Sequence, residues 1–181
     1  IPKYLYSLYF TGITYNSIGS YDTALDYFER GLEQYEQLDD RLGIAMNLYG
    51  IGYQHHSMGD YDKAIEYLDK SCIILKEAGA GYQYLIQPTT ALFLTCKNLG
   101  REFDKEEIHT IVNNSESFEF YINIRLYKLL DNRSYLETAY SQVQKIAHYL
   151  EPDIAKKFLN YPIPKQIIQE WEGVRQTHQI I

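Results

Sequence analysis

Apolar residues along this chain recur at about 3.6-residue spacing rather than in strict alternation, so every periodic segment predicts a helix and none predicts a strand. The first helix runs from about Lys3 to Ile18, and Gly19 closes it with the left-handed residue that a helix end favours. Gly59 closes a later helix in the same way, and Asp39-Asp40 and Gly79-Ala80-Gly81 mark turns by N-cap and C-cap chemistry respectively. From Pro88 to Gly100 the pattern predicts another helix, with Pro88 opening it or kinking it near its start. A short helix follows, started by the Asp104-x-x-Glu107 capping box and stopped at Asn113-Asn114-Ser115. Further helices are expected at 116–130, 135–150, just after Glu151, and from Lys165 to about Gln176, with Tyr161-Pro162-Ile163-Pro164 breaking the last two apart.

The helices repeat. Leu8, Tyr9, Gly12, Ser17, Gly19, Tyr21, Asp22, Ala24 and Tyr27 each recur, as the same residue, 40 positions later as Leu48, Tyr49, Gly52, Ser57, Gly59, Tyr61, Asp62, Ala64 and Tyr67. Conservative pairs lie between them, such as Ile18 with Met58 and Arg30 with Lys70. Gly12 and Gly52 let two helices approach, with Ala24 and Ala64 as the small residues expected to face them. Tyr21 and Tyr61 are expected to pack over the turns, and Phe28 and Leu68 to fill the gap toward the next repeat.

These residues resemble the tetratricopeptide repeat, whose signature sets an aromatic, a Leu-Gly pair and a Tyr ahead of A-x3-F. Here the corresponding residues are Leu8, Gly12, Tyr15, Ala24 and Phe28 in one copy, and Leu48, Gly52, His55, Ala64 and Leu68 in the next. The spacing of 40 exceeds the usual 34 of that family, and the proline that normally closes the second helix is missing. The resemblance implies an all-α fold, a right-handed superhelix of stacked antiparallel helix pairs. It divides the chain into a repeat array at 1–150 (about 1–40, 41–80, 81–114 and 115–150) and C-terminal capping helices at 151–181. Ile167, Ile168 and Trp171 are expected to supply the inner side of that cap, since an array needs a terminal unit with a polar outer face. The Phe158–Pro162 stretch is similar to tails closing the arrays of some bacterial multidomain regulators.

Composition narrows the function classes. Apolar content of 45% and charged content of 23% fit a folded chain, and a net charge of −7 argues against nucleic acid, whose phosphates demand clustered Lys and Arg. The 19 tyrosines suit cores that border water and surfaces that grip partners. Cys72 and Cys96 both lie in helical patterns and read as unpaired thiols of a reducing, cytoplasmic compartment. The longest apolar runs fall far short of the ~20 residues that cross a bilayer, so no membrane association is expected. Ile1-Pro2-Lys3 runs straight into a helical pattern with no start methionine, which reads as an excerpt from a larger protein.

Enzymatic motifs are missing. Gly50-Ile51-Gly52 and Gly79-Ala80-Gly81 follow no strand and reach no third glycine, so helix packing and capping explain them better than a phosphate loop. His55 and His56 are adjacent, about 100° apart on a helix, where paired metal ligands want i, i+4 spacing. His55 is therefore expected in the core and His56 on the groove, with no metal and no cofactor. Glu106-Glu107 and Asp39-Asp40 sit at helix starts, where negative charge complements the dipole. No nucleophile, base and orienting acid gather into a catalytic pattern, and the chain is not expected to be an enzyme.

The resemblance implies a concave groove lined by the first helix of each repeat, taking a protein or peptide partner. Projected onto this chain, the groove is Tyr6, Tyr9, Ile13 and Asn16, then Met46, Tyr49, Tyr53 and His56, then Gln87, Thr90, Leu94 and Lys97. It is aromatic with few charges. Tyr9, Ile13, Tyr49 and Tyr53 stand where relatives that grip an acidic C-terminal tail carry Lys, Arg and Asn, so that partner type is not expected. Two functional readings follow: a peptide-binding scaffold module, or a peptide-responsive sensor that controls an attached output domain. Leu5, Leu8 and Phe10 form the expected outer face of the first helix, a candidate for self-association.

Overall fold

The computed structural model describes residues 3–177, with side chains from Ser7 to Gln176. The helices are α1 (Lys3–Ser17), α2 (Tyr21–Gln37), α3 (Arg41–Met58), α4 (Tyr61–Glu77), α5 (Tyr82–Asn98), α6 (Lys105–Asn113), α7 (Phe120–Leu130), α8 (Arg133–Tyr149), α9 (Pro152–Leu159) and α10 (Pro162–Thr177). No strand occurs among the described residues. The chain forms two compact units, Ile1–Glu116 and Ser117–Ile181.

The turns of the first unit show how the sequence paces the fold. Gly19, Asp39, Gly59 and Gly79, spaced twenty apart, all hold left-handed backbone, with φ of 83°, 52°, 85° and 65°. At each, the next amide donates back into the finished helix: Ser20 N to Tyr15 O at 2.9 Å, Asp40 N to Tyr35 O at 3.1 Å, Asp60 N to His55 O at 2.9 Å, and Ala80 N to Leu75 O at 2.9 Å. These bonds satisfy carbonyls that a helix end leaves open. Asp39 is therefore the C-terminal stop of α2. Only Asp40 is an N-cap, its carboxylate accepting from Gly43 N at 3.0 Å, which corrects the expectation that both aspartates cap α3. The fifth such residue is Gly100 (φ 67°), one position late, so the third copy runs at an offset of 41 from the second.

Glycine contacts explain how the pairs stack. A Cβ on Gly12 would lie 2.7 Å from the Phe28 ring, and one on Gly50 would lie 2.6 Å from the same ring. Phe28, fully buried, is thus clamped between α1 and α3 and locks α2 to both. Leu68 makes the same approach within its own pair, 2.7 Å from a Cβ placed on Gly52. Phe28 fills the gap toward the next repeat as expected, and Phe28 and Leu68, rather than Ala24 and Ala64, make the closest approach to Gly12 and Gly52. Between pairs, α2 packs on α3 and α4 on α5. Within the second pair, Ser71 of α4, equivalent to Gly31 of α2, donates to Ala45 O of α3 at 2.7 Å.

Three boundaries differ from the sequence reading. α5 starts at Tyr82, so Pro88 lies inside it rather than opening it. α7 begins at Phe120, four residues late, because Asn123 Nδ2 and Gln142 Nε2 both donate to Phe118 O at 2.8 Å and hold that segment out of the helix. α10 begins at Pro162, where a missing amide costs nothing in the first turn. The Asp104 cap of α6 is present, accepting from Glu106 N and Glu107 N, but Glu107 turns its carboxylate to Lys76 Nζ at 2.8 Å.

In the second unit α7 and α8 pair, and α9 and α10 pack on α8. Ile167 is fully buried with Ile124, Leu136, Ala139 and Val143, while Ile168 and Trp171 pack around them. Trp171 stacks on Tyr140 at 5.2 Å between ring centres, and the Arg133 guanidinium lies 5.4 Å from the indole. These are the residues expected to form the inner side of the closing helices.

Candidate binding face

Within the first unit, α1 packs directly on α3 and α3 on α5, more closely than α2 approaches α4. Helix layers spaced more tightly lie on the inside of a curve, so the first helices form the inner layer.

The expected groove positions fall into rows across this layer. Tyr9, Tyr49 and Thr90 are equivalent and all buried, at 8%, 6% and 0% exposure. They form the floor: Tyr9 packs on Phe28 at 5.6 Å, and Thr90 Oγ1 donates to Ile86 O at 2.7 Å. Ile13, Tyr53 and Leu94 form a second row, partly buried and open on one side. In the third row Asn16 and His56 are partly buried and Lys97 is exposed. Met46 and Gln87 are partly buried in the remaining row, whose first member, Tyr6, has its side chain outside the described residues.

Aromatic contacts join the rows. Tyr49 stacks on Tyr53 at 6.0 Å, Tyr53 on His56 at 6.0 Å with ring planes 7° apart, and His56 meets Tyr61 at 5.5 Å. Tyr21 sits beside Tyr53, and burial, with Tyr53 adding a smaller effect, pushes its phenol above the ordinary range. Tyr21 and Tyr61 thus frame this run at the turns. Sequence pattern marked them only as turn residues, because their contact with the rings of α3 is made across helices.

His56 is better fixed than a surface residue. Its Nδ1 lies 2.8 Å from Thr95 Oγ1, and that hydroxyl lies 2.7 Å from Ala91 O. When the hydroxyl donates to Ala91 O, Thr95 accepts from a proton on His56 Nδ1; in the other tautomer Nδ1 accepts from Thr95. No spacing rule foretold this bond, since Thr95 has Gln54 as its counterpart one copy earlier.

His55 points elsewhere. It stacks on Tyr67 at 5.7 Å, just as its equivalent Tyr15 stacks on Tyr27 at 5.6 Å. Lys70 and Arg30 cover those tyrosines at 5.7 and 5.4 Å and pair with Glu66 and Asp26. The two histidines thus serve different faces. Among the described residues no three His, Cys, Asp or Glu side chains gather as metal ligands. No described helix is long and apolar enough to cross a membrane. Cys72 and Cys96 are both free thiols, Cys72 buried and Cys96 partly so.

Compared with known families, residues 5–77 match the tetratricopeptide repeat. No curated protein matches the chain.

Proposed function

Residues 5–77 are tetratricopeptide repeats, and from that premise we propose that the chain is a peptide-binding scaffold module whose partner lies along the inner face of α1, α3 and α5. Repeats of this family are in general protein-interaction scaffolds and not catalysts. The observation that supports the reading is the run of rings from buried Tyr49 through the partly open Tyr53 and His56 of the inner layer to Tyr61 at the start of α4. Rigid rings lose little entropy on binding and commonly dominate peptide interfaces. Tyr53, with Ile13, Met46, Leu94, Asn16, His56, Gln87 and Lys97 around it, forms the contact surface, while Tyr9, Tyr49 and Thr90 support it from beneath. We assign the repeat array to residues 1–150 and the closing role to residues 151–181. Two free thiols suit a cytoplasmic setting.

A photo-crosslinking residue placed at Tyr53, and as a control at exposed Glu33 on α2, tests the location. The expected result is a partner adduct from position 53 and none from position 33. Equal adducts at both, or an adduct at 33 alone, would move the binding surface off the inner layer.

A further inference from the structure

The three inner helices carry no carboxylate. α1, α3 and α5 contain neither Asp nor Glu, whereas α2 alone carries Asp22, Asp26, Glu29, Glu33 and Glu36, all exposed. α4 continues the pattern with Asp62, Glu66, Asp69 and Glu77. Burial does not account for the difference, because Ser7, Thr14, Ser17, Leu42, Gln83 and Asn98 are exposed positions on the inner helices and none is acidic. Among these five helices, therefore, the negative charge is segregated onto α2 and α4, in a chain whose net charge is −7. Of the inner-helix cations, Arg41 is held by Glu77 at 2.5 Å and Lys97 lies at the end of its row.

From this segregation we infer that the occupant of the inner face is an uncharged peptide segment rich in aliphatic and aromatic side chains. The inference rests on the inner face being the binding surface. A Lys or Arg of the peptide entering between the rows would lose water and meet no carboxylate, and an unpaired desolvated charge is strongly unfavourable. Basic peptides are instead attracted to the exposed carboxylates of α2 and α4, outside the face. An Asp or Glu of the peptide meets a protein of net negative charge with Lys97 as its counterion on these rows. A neutral apolar segment brings no charge to desolvate: Ile13, Met46, Tyr53 and Leu94 give it apolar surface, and Asn16 carries an amide within reach of its backbone.

The test is selection of a random decapeptide display library on the 181-residue chain, with counter-selection on Tyr53→Arg and Asn16→Arg variants checked for helix content by circular dichroism. The expected outcome is enriched peptides depleted in Asp, Glu, Lys and Arg, whose binding falls about tenfold or more on at least one variant that keeps its helix content. Their affinity should change less than about twofold between low and high salt, because no ion pair is screened. Enriched sequences that depend on the inner face but carry Lys and Arg, or Asp and Glu, would overturn this inference and leave the binding surface standing. Enrichment indifferent to both variants, or none at all, would overturn the binding surface and this inference with it.

Discussion

Clamping of Phe28 between two glycines makes a prediction whose sign reverses with the genetic background. Gly50→Ala replaces a poor helix former in the middle of α3, which by propensity alone stabilises by about 1 kcal/mol. The new Cβ would lie 2.6 Å from the Phe28 ring, and a fully buried ring has no free space to retreat into. Overpacking of this kind costs about 1–3 kcal/mol, so Gly50→Ala should be neutral or destabilise by up to about 2 kcal/mol. Phe28→Ala removes the ring and costs about 3–5 kcal/mol through lost burial and a cavity. In that background the ring that the methyl group of Gly50→Ala would strike is gone, and the same substitution should stabilise by about 1 kcal/mol. The double-mutant cycle should therefore show a coupling of about 1–3 kcal/mol. Urea denaturation followed by circular dichroism, on the two single variants, the double variant and the parent, measures it. Additive effects, or a Gly50→Ala variant that stabilises the parent, would refute the clamp.

Three other outcomes follow from the geometry. Asp39 holds φ of 52° where its counterpart is Gly79, so Asp39→Gly should stabilise by about 1 kcal/mol and raise the melting temperature by about 2–4 °C, while Gly59→Ala should lower it. Burial pushes the Cys72 thiol up to about 11; the unfolded thiol ionises first as pH rises, so stability is full below about pH 9 and should fall between about 9 and 11, and Ellman's reagent should label the less buried Cys96 before Cys72 in the native protein. Tyr49→Ala should cost stability because Tyr49 is 6% exposed, whereas Tyr53→Ala should keep its melting curve within a few degrees and weaken partner binding about tenfold; the opposite split would reverse their assigned roles.

Local chemistry carried much of this fold in the sequence. The recurrence of Gly12 with Gly52, Gly19 with Gly59 and Phe28 with Leu68 was legible because each is imposed by a close approach or a left-handed turn that few residues satisfy. The Asp104 cap and the stop at Asn114 were readable for the same reason, their partners being two to four residues away. Errors arose where a distant group competes with a local one. Asp39 looks like an N-cap until Asp40 N is found bonded to Tyr35 O. Glu107 completes a capping box on paper but is claimed by Lys76, thirty-one positions earlier. Pro88 reads as a helix start because propensity cannot see that α5, packed on α4, tolerates it within.

For the candidate site the division is sharper. Helical spacing put Tyr9, Tyr49 and Tyr53 on one side of their helices, since residues four apart share a face. It did not decide how deep each lies. Tyr9 and Tyr49 are floor and Tyr53 is surface, because depth depends on where Phe28 and the neighbouring inner helix arrive. His56 is fixed by Thr95 on the next inner helix, through a bond between residues thirty-nine apart. The distribution of acidic residues was present in the sequence from the start. Only the packing of α1 on α3 and of α3 on α5 reveals that these three helices, each without a carboxylate, share one layer.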